Sequence, residues 1–329
     1  MEKGPSAYTA VETNACARAI ATFSGQDEVD PMVKYKGGLI LKLAMQNFLK
    51  LKEEKHDHNL KFILMVIQML SEFSQLARIH LLPILSSLVG VFLEKDVWSF
   101  PLRIEAMKLV NQILERLEFP EKLMNAESLR LFTANFDQWL KGAGDYELQI
   151  TIMESLFCIT SSQHRTEQVL EWFTTAHLQH LFLKIRKEHF DTDCREFLNY
   201  FNECNESNES NVYSYQVNII TLGKYILRKP QDVASFWVDL NVGSSSITAY
   251  TKDDDDNEGG WDIIRIKETA VRNVVIKQSG STITFIIRLH TAASEMADFC
   301  PSADETYVII EGKNHENMLA CWKKIFGER

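Results

Sequence analysis

Apolar residues recur at helical spacing from the N-terminal part of the chain to about Glu203. In the segment His58–Ala77, residues Leu60, Ile63 and Ile67 fall on one helix face. The same periodicity predicts further helices at Ile79–Glu94, from Phe100 through Leu117, at Ala126–Lys141, from an Asp145 cap through Ile159, and at Gln163–Phe173, Thr175–Arg186 and Thr192–Glu203. This part of the chain is therefore predicted to be helical throughout.

The spacing of these helices indicates a repeat. Helices or helix groups begin near His58, Phe100, Asp145 and Asp191, and a period of roughly 40–47 residues is typical of HEAT and armadillo arrays. In such arrays each helix pair buries its apolar face against the next pair. The repeats share this rhythm but no consensus letters, and they predict an armadillo/HEAT-like α-helical repeat domain over residues 1–205.

After Asn205 the apolar period changes from helical to alternating. Short β-branched runs bounded by Gly, Asn, Ser or Asp predict strands at Phe236–Leu240, Ile247–Thr251, Trp261–Ile266, Val271–Lys277, Thr282–Leu289 and Thr306–Ile310. The segment Val212–Leu227 is ambiguous between strand and helix. The last predicted element is a helix, His315–Phe326, with a single apolar stripe that includes Trp322.

This order of elements defines the predicted fold class, which is α+β and multidomain. Short antiparallel strands closed by one Trp-bearing helix resemble the pleckstrin-homology superfold. We therefore predict the helical repeat domain over 1–205, a connecting segment over 206–230, and a pleckstrin-homology-like β-barrel or sandwich capped by a C-terminal helix over 231–329.

Charge narrows the possible partners. The chain has 35 basic and 45 acidic residues, a formal net charge of -10. Proteins that grip nucleic acid or anionic membranes need a cationic face, so neither direct DNA binding nor membrane binding is expected. Six cysteines without a CxxC pair predict reduced thiols in a cytosolic or nuclear protein.

One acidic run is a candidate partner-docking site. Asp253, Asp254, Asp255 and Asp256 follow the predicted strand where a lipid-binding pleckstrin domain would carry basic residues. The run is open to two interpretations, a solvated hairpin loop or a docking patch for a basic peptide or histone tail.

Candidate catalytic and cofactor chemistry is weak. The run from Gly142 to Glu147 begins like GxGxxG, but it lacks the third glycine and follows a helix rather than a strand. His177, His180, His189 and Cys194 match no common zinc spacing. We predict no catalytic residue, no metal, no cofactor and no small-molecule substrate, and the chain is not expected to be an enzyme.

Three stretches carry a family resemblance. Gly144–Gln149, Thr192–Asn199 and Phe236–Ser244 resemble, in order and spacing, the N-terminal region of the synaptonemal complex protein 2 family, which includes synaptonemal complex protein 2-like. That region is an armadillo-like helical domain followed by a pleckstrin-like domain similar to the middle domain of a histone chaperone subunit.

The resemblance implies a function. Family members belong to meiotic chromosome axes and synaptonemal complex lateral elements, and some associate with centromeres. The implied role is a non-enzymatic scaffold in the nucleus, on chromosomes, that docks axis or centromere proteins and, as one candidate class, histones. The alternative is a cytoplasmic adaptor in which armadillo-like and pleckstrin-like modules recognise peptides.

Overall fold

The structure is a computed structural model. It describes Ala44, Asn47, Phe48, Lys50, Leu64, Leu85 and residues 87–94, 97–115, 127–204, 211–223, 225–230, 233–252, 261–290, 307–313 and 317–327. The helices before the sheet are α1 Phe100–Glu115, α2 Glu127–Ala134, α3 Phe136–Lys141, α4 Tyr146–Ile159, α5 Ser162–Trp172, α6 Ala176–Leu183 and α7 Phe190–Cys204.

The described residues form two compact units. The first contains those up to Asn135 together with Glu154–Ser162. Its interior holds an edge-to-face contact between Phe92 and Phe132, whose ring centroids lie 6.1 Å apart. A polar contact also lies in this unit, where the Asn111 side chain donates to the Glu154 carboxylate at 2.8 Å.

The second unit contains Phe136–Met153 and the described residues from Gln163 onward. Its helices share an aromatic cluster in which Phe173 lies 5.3 Å from Phe197, and Phe182 lies 5.6 Å from Phe197, between ring centroids. These tilted and edge-to-face contacts are the arrangements that aromatic rings prefer. They bring α6 and α7 together.

The rest of the second unit is an antiparallel sheet. Its strands are β1 Val212–Leu222, β2 Tyr225–Ile226, β3 Phe236–Asn241, β4 Ser246–Lys252, β5 Trp261–Lys267, β6 Val271–Ser279, β7 Thr282–Leu289 and β8 Tyr307–Lys313. The order across the sheet is β5-β4-β3-β1-β8-β7-β6, and β2 pairs with the end of β1.

A final helix, α8 Met318–Phe326, covers one face of this curled sheet. Its apolar stripe joins a core of alternate residues from the strands. The Trp322 ring stacks on Phe285 of β7 with ring centroids 4.3 Å apart. We call the face that contacts α8 the core face and the opposite face the outer face.

The predicted α+β order is confirmed at the level of helices followed by an antiparallel sheet and a C-terminal helix. The predicted helix at Ala126–Lys141 is two helices, α2 and α3, with a break at Asn135. The helix predicted at His58–Ala77 lies outside the described residues apart from Leu64.

The sheet also begins earlier than expected. Val212–Leu222, placed by the sequence in the connecting segment 206–230, pairs with both β3 and β8. Its alternation was hard to recognise because the register with β8 shifts between Val217 and Ile219. A bulge of this kind reverses the in-and-out pattern part-way along a strand.

Candidate functional site

The start of helix α4 lies against the sheet within the second unit. Gly144 has a positive φ of 70° and turns the chain into the helix. The Asp145 carboxylate then accepts hydrogen bonds from the backbone N–H groups of Glu147, at 2.9 Å, and Leu148, at 3.4 Å. The predicted cap is confirmed, since a cap carboxylate satisfies helix N–H groups that have no partner within the helix.

Asp145 is also bound from the sheet. Arg265 of β5 donates to Asp145 Oδ2 at 2.6 Å and to the Glu147 carboxylate, and Ser244 Oγ donates to Asp145 Oδ2 at 2.5 Å. Burial lowers the pKa of Arg265, but the charges and hydrogen bonds of the two carboxylates outweigh it and raise the pKa above its ordinary value. Arg265 therefore stays charged and holds the first turn of α4.

A second ion pair lies deeper. Arg195 of α7 donates from its two terminal nitrogens to the two carboxylate oxygens of Asp239 on β3, at 2.7 and 3.2 Å. The two side chains are 4% and 0% exposed, and Ser214 Oγ adds a hydrogen bond to Asp239 at 2.7 Å. Such a paired geometry is needed to offset the cost of burying both charges.

Aromatic rings enclose this pair. The Arg195 guanidinium carbon lies 3.6 Å from the Tyr146 ring centroid and 5.5 Å from that of Tyr250. Burial lowers the pKa of Arg195, whereas the charge of Asp239 raises it, and the net direction is upward. Arg195 is therefore a fixed cation between the helices and the sheet.

Two close backbone contacts complete the arrangement. The Gly243 N–H donates to the Gly144 carbonyl at 2.9 Å, and a Cβ on Gly243 would lie only 2.7 Å from the Gly144 Cα. The Tyr146 N–H donates to the Asn241 side-chain oxygen at 2.9 Å. Only residues without a side chain allow the two loops to approach this closely.

We call Asp145, Arg195, Asp239 and Arg265 the charged junction. The three stretches that carried the family resemblance all contribute to it, together with β5. Each cation faces a carboxylate within hydrogen-bonding distance, so the junction offers firm attachment of helices to strands rather than an activated nucleophile or base.

A small cleft borders the junction. It offers about 10 Å³ of space to a water-sized molecule and is lined by Arg195, Pro230, Val233, Ser235, Trp237 and Tyr250. Small-molecule sites are commonly larger, about 300–1,000 Å³. The cleft is a shallow surface feature beside a paired arginine.

The sequence also offered an acidic run and a His/Cys group as candidates. Asp253–Asp256 lie outside the described residues. The His177 ring contacts Tyr200 with centroids 4.5 Å apart, and Cys194 is fully buried. Over the part of the chain that the structure describes, no three His, Cys, Asp or Glu side chains are grouped to hold a metal ion. None of the described helices has the length and hydropathy of a membrane span.

Sequence reasoning did not single out Asp239 or Arg265. A usable signal was present for Asp239, which is the one charged residue of the strand Phe236–Asn241, whereas Arg265 shares the strand Trp261–Lys267 with Asp262 and Lys267. Such a charge, if buried, requires a partner of opposite sign. The sequence does not indicate which one, since the partners are distant along the chain.

Comparisons with known proteins place this fold in context. Residues 212–319 match the family model of the synaptonemal complex 2 Spt16M-like domain, and Val212 is also the first residue of β1. The resemblance to the synaptonemal complex protein 2 family is confirmed. The match includes the strand that the sequence had assigned to the connecting segment.

Relatives that match more than half of this chain carry the same family name. Synaptonemal complex protein 2 of Rattus norvegicus is 31% identical over 195 residues, which is 58% of this chain and 13% of the relative. Synaptonemal complex protein 2-like of Xenopus laevis is 32% identical over 183 residues, 54% of this chain and 18% of the relative. The matched regions thus span less than one fifth of these relatives.

A solved structure titled synaptonemal complex protein shares the fold. It superposes with a TM-score of 0.74 at 21% sequence identity, covering 97% of this chain and 83% of the solved one. This likeness covers both the helices and the sheet.

Proposed function

We propose that the chain is a non-enzymatic protein-interaction scaffold of the meiotic chromosome axis, acting on chromosomes in the nucleus. The names of the similar proteins support a synaptonemal complex role. The observation that carries the scaffold part is the charged junction. Its cations and carboxylates neutralise one another in the interior, which suits a rigid platform.

The proposal includes a finer architecture. The helices up to Cys204 form an armadillo-like array, and the strands from Val212 with α8 form a pleckstrin-like module. The helix boundaries and the single Trp-bearing helix after the strands support this assignment. Solenoid arrays present extended concave surfaces that bind other molecules.

The proposed partners are proteins of the meiotic chromosome, namely axis or centromere proteins and, as a candidate class, histones. An acidic chain would reach chromosomes through such partners. DNA contact would then be indirect.

The function is tested in meiotic prophase cells that express the tagged chain. Immunofluorescence should place the tag along chromosome axes, and affinity purification should recover axis or centromere proteins. Arg195→Met, which leaves Asp239 buried without its cation, should lose both. Arg186→Met, at an exposed pair with Asp193, should keep both. A cytoplasmic signal with only cytoplasmic partners would overturn the chromosomal assignment in favour of an adaptor.

The acidic run Asp253–Asp256 is proposed to dock basic peptides. Replacing the run with serines should weaken binding of a histone-tail peptide and reduce its salt dependence, because screened charge pairs disappear. The matched control replaces the exposed Glu188, Glu196 and Glu203 of the helical region with glutamine. Equal salt dependence in both variants and the unmodified chain would end this proposal.

A further inference from the structure

The outer face of the sheet has two halves of opposite character. On the strands β1, β3, β4 and β5, the pairing aligns Ser214, Asp239, Thr248 and Arg265 in one row. This row is polar, yet Asp239 and Thr248 are fully buried. Asp145, at the N-cap of α4, and Arg195 of α7 bind it.

The other half is mostly apolar and partly exposed. Strand pairing aligns Val275 of β6, Ile286 of β7, Ile309 of β8, Thr221 of β1 and Ile226 of β2 in a continuous row. We call this the apolar row. Ile226 is 71% exposed and Val275 is 38% exposed, while the three residues between them are half-buried.

Ile219 widens the apolar row. It lies two residues before Thr221 on β1, points to the same face and is 41% exposed. Single exposed apolar residues are ordinary on protein surfaces, whereas contiguous apolar patches mark interaction sites. Paired residues are direct neighbours, so Val275, Ile286 and Ile309 form a contiguous apolar patch, and Thr221 separates it from Ile226.

Charge beside the row has the opposite sign to that of the chain. Lys277 lies two residues from Val275 on β6, and Arg288 lies two residues from Ile286 on β7, on opposite sides of the row. Lys313 lies on the same face at the end of β8. Among the described residues of these strands, Glu311 is the one acidic side chain on the outer face. The chain as a whole carries -10, so this cationic border favours an acidic partner.

The geometry selects a helix as the ligand. Five strands spaced about 4.8 Å apart give the row a length of about 19 Å, which corresponds to about 13 residues of α-helix. An added strand would instead run along the edge of β6 and pair with its backbone. An amphipathic helix laid across the strands would place its apolar stripe on the row and its flanks over Lys277 and Arg288.

We propose that the apolar row is the docking site for an acidic amphipathic helix of a partner protein, about three to four turns long. This inference needs only that the chain binds proteins, and it is independent of the chromosomal assignment.

The test uses a synthetic helical peptide of about 14 residues, with apolar residues at i, i+3, i+4 and i+7 and glutamates on the flanks. Methyl NMR spectra of the full chain should show shifts at Ile226, Ile286 and Ile309 on titration. Fluorescence anisotropy gives the affinity. The same peptide with lysines replacing the glutamates should bind more weakly.

Paired variants locate the site. Ile226→Ser with Val275→Thr keeps residues that strands tolerate and should weaken binding about tenfold or more. Leu170→Ser, at a helix position that is 68% exposed, is the matched control and should leave binding unchanged. Lys277→Glu with Arg288→Glu should weaken binding, whereas Lys184→Glu with Lys187→Glu should not. Circular dichroism confirms that each variant is folded.

Three outcomes would overturn the proposal. The first is an absence of methyl shifts at a peptide concentration of about 1 mM, where even weak complexes are populated. The second is equal binding of the lysine and glutamate peptides. The third is a set of shifts confined to the backbone of β6. Concentration-dependent self-association that the Ile226→Ser, Val275→Thr variant abolishes would replace the partner helix with a second copy of the chain.

Discussion

Arg195 and Asp239 place opposite charges where almost no water reaches them, at 4% and 0% exposure. Removing one partner of such a pair leaves the other charge buried and uncompensated, which is far more costly than losing an exposed pair. The pairing of these two side chains therefore determines how tightly α7 is held to β3.

Arg195→Met is expected to lower the free energy of unfolding by about 3–5 kcal/mol, measured by urea denaturation. Arg186→Met is the matched control, because Arg186 pairs with Asp193 at 61% exposure and solvent screens that contact. A similar loss in both variants would contradict the assignment of Arg195 to a buried structural pair.

At Tyr146 we expect a substitution to stabilise the folded chain rather than destabilise it. Among the described residues its buried hydroxyl has no hydrogen-bond partner, and an unsatisfied buried hydroxyl destabilises the folded state. Tyr146→Phe should therefore leave stability unchanged or raise it by about 1 kcal/mol. Tyr215→Phe is the control, since the Tyr215 hydroxyl donates to Cys321 Sγ at 3.2 Å, and it should be destabilising.

The burial of Tyr146 also predicts that the stability of the folded chain falls at alkaline pH. Burial raises the pKa of Tyr146 and of Tyr250 well above the ordinary value of 10.0. Because the folded pKa exceeds the unfolded one, these groups leave the free energy of unfolding independent of pH below about pH 10 and lower it as the pH rises further, since the unfolded chain loses the protons more readily. Thermal melts from pH 8 to 11 should show a smaller decline in Tyr146→Phe, and an unchanged decline would count against burial of this hydroxyl.

At the scale of elements, the first turn of α4 depends on β5. Arg265→Met removes the bonds to Asp145 and Glu147 and should cost about 1.5–3 kcal/mol. The amides of Glu147 and Leu148 should then exchange hydrogen faster. Lys267→Met, an exposed position on the same strand, is the control, and equal exchange in both variants would show that α4 begins without help from the sheet.

The packing of the C-terminal helix α8 on the sheet depends on the Trp322 ring. Trp322 stacks on Phe285 and Phe326 and is 2% exposed, so Trp322→Ala should cost about 3–5 kcal/mol. Leu319→Ala on the same helix, where the side chain is 37% exposed, should be close to neutral. Urea denaturation measures both variants, and an equal loss in the free energy of unfolding for Leu319→Ala and Trp322→Ala would contradict this prediction.

At the scale of the whole molecule, the net negative charge predicts that the chain does not bind duplex DNA directly. The sequence pI is about 5.5, and nonspecific DNA binding at physiological salt requires a basic surface even for dissociation constants of about 10⁻⁴–10⁻⁶ M. An electrophoretic mobility shift with duplex DNA should show no complex at about 10 μM chain. A salt-sensitive shift would require a cationic patch large enough to overcome the net charge.

Much of this architecture is predictable from local pattern. The caps at Asp145 and Thr175 and the turn at Gly280 depend on neighbouring residues, and the structure has a helix or hairpin at each. The segment Val212–Leu227 stayed ambiguous between strand and helix, because the bulge in Val212–Leu222 breaks the alternation that predicts a strand. The charged junction was missed because its residues come from four distant segments.

The sequence by itself determined the order of elements and the character of each face, because helical and strand periods are local properties of the chain. Tertiary structure alone decided which charges meet and which apolar residues stay exposed. Whether Asp239 is a surface carboxylate or a buried anchor depends on Arg195, 44 positions away, and Ile309 adjoins Thr221 and Ile286 only through strand pairing. Both the junction and the apolar row arise from contacts between segments that are remote in sequence.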